Sequence, residues 1–172
     1  MTAPVTTAEL RDTVTVLSSL PLIRLITEID DNGPIPPRGL ARTLADLSAH
    51  HLHQTTDVAR ALGLIRVRPG AGLGLTTAGS ELADVYDATA RWARHHAYPT
   101  GASDFTSRVQ HTLGLLAERL VPVTADGPHC PAGDHLPGAQ ADVDLTRPRE
   151  LLYQWLNAYP PTARLAESEP AA

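Results

Sequence analysis

Lysine is absent from this chain, and all fourteen basic residues are arginine. There is one cysteine, one phenylalanine and one methionine, and aromatic residues make up only 4% of the sequence. A single cysteine, Cys130, excludes an internal disulfide and agrees with a reducing compartment. No stretch approaches eighteen consecutive apolar residues, which excludes a membrane-spanning helix. The first ten residues lack a basic segment followed by an apolar run, so no secretory leader is expected and the cytoplasm is the expected location. Catalytic signatures are missing as well: there is no G-x-S-x-G, no H-E-x-x-H and no paired-cysteine motif. The glycine-rich Gly70–Gly74 lacks both the third glycine of a dinucleotide loop and the Lys-Ser/Thr of a phosphate loop. It reads as a tight turn. Neither an enzyme nor a cofactor is expected.

What is present suits a folded chain. Its 172 residues are 42% hydrophobic, enough for a proper core. The arginine-only, Ala-, Pro- and Gly-rich composition is that of GC-rich, bacterial coding sequence. The net charge of -5 is unevenly spread. Residues 1–100 hold nine arginines against ten acids, and residues 101–172 hold five against nine. Acidity weakens non-specific attraction to nucleic acid, yet the near-neutral front part leaves room for a local basic face.

Apolar spacing predicts a mainly α-helical fold with a small β-hairpin. Residues 7–20 carry Leu10, Val14 and Leu17 on one helical face, with Thr7 as N-cap. Pro21 opens a second helix, which Asn32-Gly33 ends. A third helix starts at Pro37 with Leu40, Ala41, Leu44 and Leu47 inward. Ser48 caps a fourth, which stops at Gly63. Leu64–Arg68 alternates as a strand, with Ile65 and Val67 on one side and Arg66 and Arg68 on the other. A turn over 69–74 leads to a return strand at Leu73–Thr76. A long helix runs from Thr77 to His96. Ser103 caps another, with Phe105, Val109, Leu113, Leu116 and Leu120. Residues 122–145 read as a loop, Thr146–Tyr159 as a last helix, and 160–172 as a disordered tail.

Helix, short extended piece, helix, helix, hairpin and long helix is the order of a winged helix-turn-helix. Four stretches carry a family likeness. "GPIPPRGLARTL" resembles the second helix of HxlR-type, MarR-like regulators. "HLHQTTDVARALGLIRV" resembles their recognition helix and its Gly-Leu-Ile entry to the wing. "LGLTTAGSEL" is similar to the segment after the wing, and "ARWARHH" to the end of the long helix. The likeness covers about residues 20–97. It implies a DNA-binding transcriptional regulator acting as a homodimer on a palindromic operator. The implied layout is an N-terminal dimerisation helix at 1–20, a DNA-binding domain at 21–98 and a helical extension at 99–159.

Several candidate sites follow. A recognition helix meets base edges with its first turns. With Leu52, Thr56 and Ala59 inward, His50, His51, His53, Gln54 and Thr55 are placed outward. Gln pairs with adenine, Thr meets a thymine methyl, and a histidine gains charge below about pH 6.5. Arg38, Arg42 and Arg60, with Arg66 and Arg68 on the wing, would hold phosphates. Asp57 would oppose them. Tyr86, Trp92, Phe105, Leu113 and Trp155 are candidates to line an effector pocket, and Trp92, Phe105, Leu116 and Trp155 to anchor a dimer. His129, Cys130, Asp134 and His135 are metal-ligand types, but their spacing matches no zinc motif, and a solvated loop is the default. His95-His96 reads as a helix end. Two rival functions remain open: a winged-helix protein-interaction module, and a small-molecule or metal sensor.

Overall fold

The computed structural model describes residues 7–36, 38–119 and 138–160. It is mainly helical, with one small antiparallel sheet. None of its described helices is long and apolar enough to cross a membrane.

Helix α1 (Thr7–Leu17) leads into α2 (Leu20–Asn32), which begins with Pro21 in its first turn. Leu22, Ile23, Leu25, Ile26 and Ile29 bury its inner face. Gly33, at φ 82°, ends it and donates its N–H to the Ile29 carbonyl. The next helix is shorter than its leucine spacing predicts. Helix α3 is one turn, Leu40–Thr43. Leu44 is fully buried, Leu40 and Leu47 are half-buried, and Ala41 is exposed. A single turn offers one inward direction, which Leu40 and Leu44 share; Ala41 lies about 100° round the helix from Leu40. Just beyond, Asp46 is held on the surface by two 3.2 Å hydrogen bonds from Arg24.

Helix α4 (Ala49–Ala61) starts where Ser48 Oγ accepts the His51 N–H at 3.3 Å. It ends at Gly63, whose φ of 61° turns the chain into the hairpin. Strand β1 (Ile65–Arg68) pairs with β2 (Gly72–Leu75) in the register Ile65↔Leu75, Arg66↔Gly74, Val67↔Leu73, Arg68↔Gly72. On the other edge of β2, Ile35 and Leu73 exchange backbone hydrogen bonds of 2.9 and 2.8 Å.

Helix α5 (Thr77–His95) is the central element, packed against α2, α6 (Phe105–Arg119) and α8 (Thr146–Ala158). Thr76 caps it by accepting the Gly79 N–H, and donates to the Gly63 carbonyl at 2.6 Å. The side chain that caps α6 is Asp104, whose Oδ2 accepts the Ser107 N–H at 2.9 Å. Ser103, the expected cap, sits one residue too early for that bond. The segment expected to be loop through 145 contains α7 (Ala139–Asp144). Its Ala141 is buried, and the Trp92 indole donates to the Ala141 carbonyl at 3.0 Å. The rest of that expected loop, from 122 to 137, and the tail from 161 lie outside the described residues.

One apolar cluster joins Leu17, Leu25, Leu64, Leu82, Leu113 and Leu152, and so runs through the N-terminal, central and C-terminal helices alike. This corrects the expected role of the dimer anchors. Trp92, Leu116 and Trp155 are 5%, 1% and 2% exposed within a single chain, so they anchor its own core. Phe105 is half-buried.

Candidate nucleic-acid interface

Helix α4 presents two faces. Leu52, Thr55, Thr56 and Ala59 are buried, while His50, His51, His53, Gln54, Asp57 and Arg60 are exposed. Thr55 is the correction here: expected to face outward, it is 8% exposed. Positions 52, 55, 56 and 59 repeat at the three- and four-residue spacing of one helical stripe, so Thr55 follows Leu52 inward. Its neighbour Thr56 satisfies its hydroxyl on the Leu52 carbonyl at 2.7 Å.

The exposed face is lightly restrained. The His50 and His51 rings lie 6.1 Å apart. His53 Nε2 stands 3.8 Å from Asp57 Oδ2, with both side chains well into solvent. Such a pair contributes little to stability, so His53 remains available to a ligand. Arg38, just before α3, and Arg42, within it, are exposed too. Arg60 and His53 share a groove of about 290 Å³ with Leu40, Ala41, Val67 and Leu73. The Asp46 carboxyl, between α3 and α4, is held below its ordinary range by the hydrogen bonds from Arg24, so it stays charged but paired.

The hairpin arginines do not join this groove. Ile65 is buried, so its strand neighbour on the same face, Val67, projects toward α4 and emerges at 59% exposure. Arg66 and Arg68 occupy the opposite face and line a separate hollow of about 430 Å³ with Asp30, Thr77 and Ser80. The partners opposite them, Gly74 and Gly72, leave room for arginine to lie flat. Arg68 takes that room: a methyl group on Gly74 would meet its Nε at 2.8 Å, and its guanidinium donates to the Leu75 carbonyl at 3.0 Å. The ten expected DNA contacts thus divide. His53 and Arg60 border the groove, Arg66 and Arg68 line the other hollow, His50, His51, Gln54, Arg38 and Arg42 are exposed but border neither, and Thr55 is in the core.

Four of the five expected effector-pocket residues are core residues. Tyr86, Trp92, Leu113 and Trp155 are all at most 5% exposed. The Tyr86 hydroxyl donates to Leu17, and the Trp155 indole to Ala78. Trp92 walls a hollow beside α7, and Phe105 another between α2 and α6. His129, Cys130, Asp134 and His135 lie outside the described residues. Two features went unread in the sequence. The first is the apolar character of the groove at Val67. The second is a cluster of His95, His96 and Asp144, whose ligating atoms lie within 4.8 Å of one another. The paired histidines were visible, but Asp144 comes from the helix that read as loop.

No protein-family model, no curated protein and no solved structure matches this chain.

Proposed function

We propose that the chain is a winged-helix DNA-binding protein acting as a transcriptional regulator. In this reading α4 enters the major groove and the hairpin is a short wing. The observation that carries it is the exposed N-terminal half of α4. Ser48 fixes its first turn, Leu52 and Ala59 fix its buried face, and His50, His51, His53 and Gln54 are left for base edges. The order of elements and the bridge from Ile35 to the hairpin support the same architecture. Arg38, Arg42 and Arg60 are the phosphate contacts. Two copies related by a two-fold axis would read a palindromic site. The test is a fluorescence-anisotropy titration with DNA from upstream of the coding sequence, run at several salt concentrations against an unrelated duplex. Specific binding with a negative salt slope supports the reading. A folded protein that ignores both duplexes at low salt rejects it.

The groove favours a second reading, a protein-interaction module. Val67 stands exposed beside Leu40, Ala41 and Leu73, an apolar lining that phosphates do not attract. Substituting Val67→Glu separates the two readings. It should abolish partner capture in the module, and should lower DNA affinity only modestly in the regulator.

A further inference from the structure

We propose that His95, His96 and Asp144 form a binding site for a divalent transition metal of the zinc class, which clamps α7 to the end of α5. The inference is independent of the DNA-binding reading.

The site is assembled by backbone and packing features on both sides. Helix α5 ends in a paired-carbonyl turn: Ala97, at φ 51°, donates to Arg94, and Tyr98 donates to Ala93 at 2.8 Å. That turn leaves the His95 and His96 side chains together at the helix end, their rings 4.8 Å apart. The last carbonyls of a helix carry partial negative charge, which favours a cation there. Across from them, the Trp92 indole holds the Ala141 carbonyl and so docks α7. Asp144 is thereby brought to 3.2 Å from His96 Nε2.

The approach of those two atoms is informative. His96 Nε2 is shielded from solvent, yet it makes no properly directed hydrogen bond among the described residues, even to Asp144 Oδ2 beside it. The two atoms converge without pointing at each other. Ligands that share a tetrahedral zinc ion sit about 3.3 Å apart, given bonds of about 2.0–2.1 Å. The observed 3.2 Å matches that spacing. His95 offers the third ligand: its side chain is exposed, and all three atoms already lie within 4.8 Å of one another.

The supporting groups suit a ligand set. Gln140 donates to Asp144 Oδ1 at 3.1 Å, which holds one carboxylate oxygen and leaves Oδ2 toward the histidines. The Trp92 ring, 5.2 Å from that of His96, fixes the imidazole from the other side. Two imidazoles and a carboxylate with no thiolate suit zinc, cobalt or nickel and leave a position open. His95, His96 and Asp144 line a hollow of about 440 Å³ together with Arg91 and Arg147, which leaves room for water or a small anion to complete the shell.

The test titrates full-length protein with Zn²⁺ by calorimetry, and with Cu²⁺ while following tryptophan fluorescence. Wild type should bind one equivalent at this site, and Cu²⁺ should quench Trp92. His95→Ala and Asp144→Asn change exposed side chains and should keep the metal-free melting temperature. Each should weaken Zn²⁺ at least tenfold and remove the quenching. A triple variant His50→Ala/His51→Ala/His53→Ala and a double variant His129→Ala/His135→Ala should bind as wild type. Unchanged affinity in His95→Ala and Asp144→Asn overturns the proposal, as does loss of binding in either control alone or no binding by wild type.

Discussion

The Tyr86 hydroxyl, in the middle of α5, donates a 2.7 Å hydrogen bond to the carbonyl of Leu17, the last residue of α1. Both residues are fully buried, and burial pushes the phenol far above its ordinary range, so it stays neutral and a donor. The bond gives the end of α1 a partner that water cannot supply. Tyr86→Phe keeps the ring and its packing but strands the carbonyl. It should cost about 1–2 kcal/mol in urea denaturation. A loss near zero would mean that Leu17 finds another donor.

Ala97 is the one described non-glycine residue with positive φ, and it terminates α5. A left-handed alanine costs about 1–2 kcal/mol, and glycine relieves this at some expense in unfolded-state entropy. Ala97→Gly should therefore stabilise the chain by roughly 0.5–1 kcal/mol. Thermal denaturation measures it, and a lower melting temperature would contradict the assignment of this turn.

The Tyr86–Leu17 bond joins elements far apart in the chain, which local sequence patterns do not specify. The ends of α2 at Pro21 and Gly33, the Ser48 cap, the stop at Gly63 and the stripe of α5 were legible, because each is set by residues within one or two turns. The hairpin was legible for the same reason, as was the alternation that puts Arg66 and Arg68 on one face. Which way that face points was not legible, since it depends on Ile65 entering a core built by distant helices. Helix α7 was hidden in a proline- and glycine-rich stretch because docking on Trp92 supports it. The cluster of His96 with Asp144 was lost with it. Thr55 is different: its place on the buried stripe is implicit in the spacing from Leu52, while its residue type suits a base contact.

Two aspartates should make stability depend on pH in opposite directions. The Ser107 backbone N–H, then its side chain, hold the Asp104 carboxyl below its ordinary 3.8. A depressed folded pKa means stabilisation that is complete above 3.8 and is lost as pH falls through the lower folded value. Asp104→Ala should thus cost up to about 1 kcal/mol at pH 7, as for other N-caps, and less toward pH 2–3. Asp30 is raised, first by partial burial and then by Asp31, Asp84 and Asp87. Its charge therefore costs stability at neutral pH, and the cost is relieved as pH falls through its raised value toward 3.8. Asp30→Asn should stabilise at pH 7 and make no difference below about pH 3.5. Denaturation curves at both pH values decide; an Asp30→Asn gain that persists in acid would point to a cause other than charge.

The division of arginines between two faces gives the sharpest test of the DNA-binding reading. Arg60 lies in the groove with His53 of α4, whereas Arg68 lies over Gly74 and is tied to the Leu75 carbonyl. On this geometry Arg60→Ala should weaken binding to all duplexes alike and flatten the salt slope by about one unit. Arg68→Ala should leave the slope nearly unchanged and instead loosen the hairpin, which a lower melting temperature would report. Gln54→Ala should act on sequence, costing about 1–3 kcal/mol for the preferred base at one position and little elsewhere. The reverse pattern, with a slope sensitive to Arg68 but not to Arg60, would place the nucleic acid on the hairpin's other face, beside Asp30 and Ser80. Helix α4 would then be displaced from the reading role.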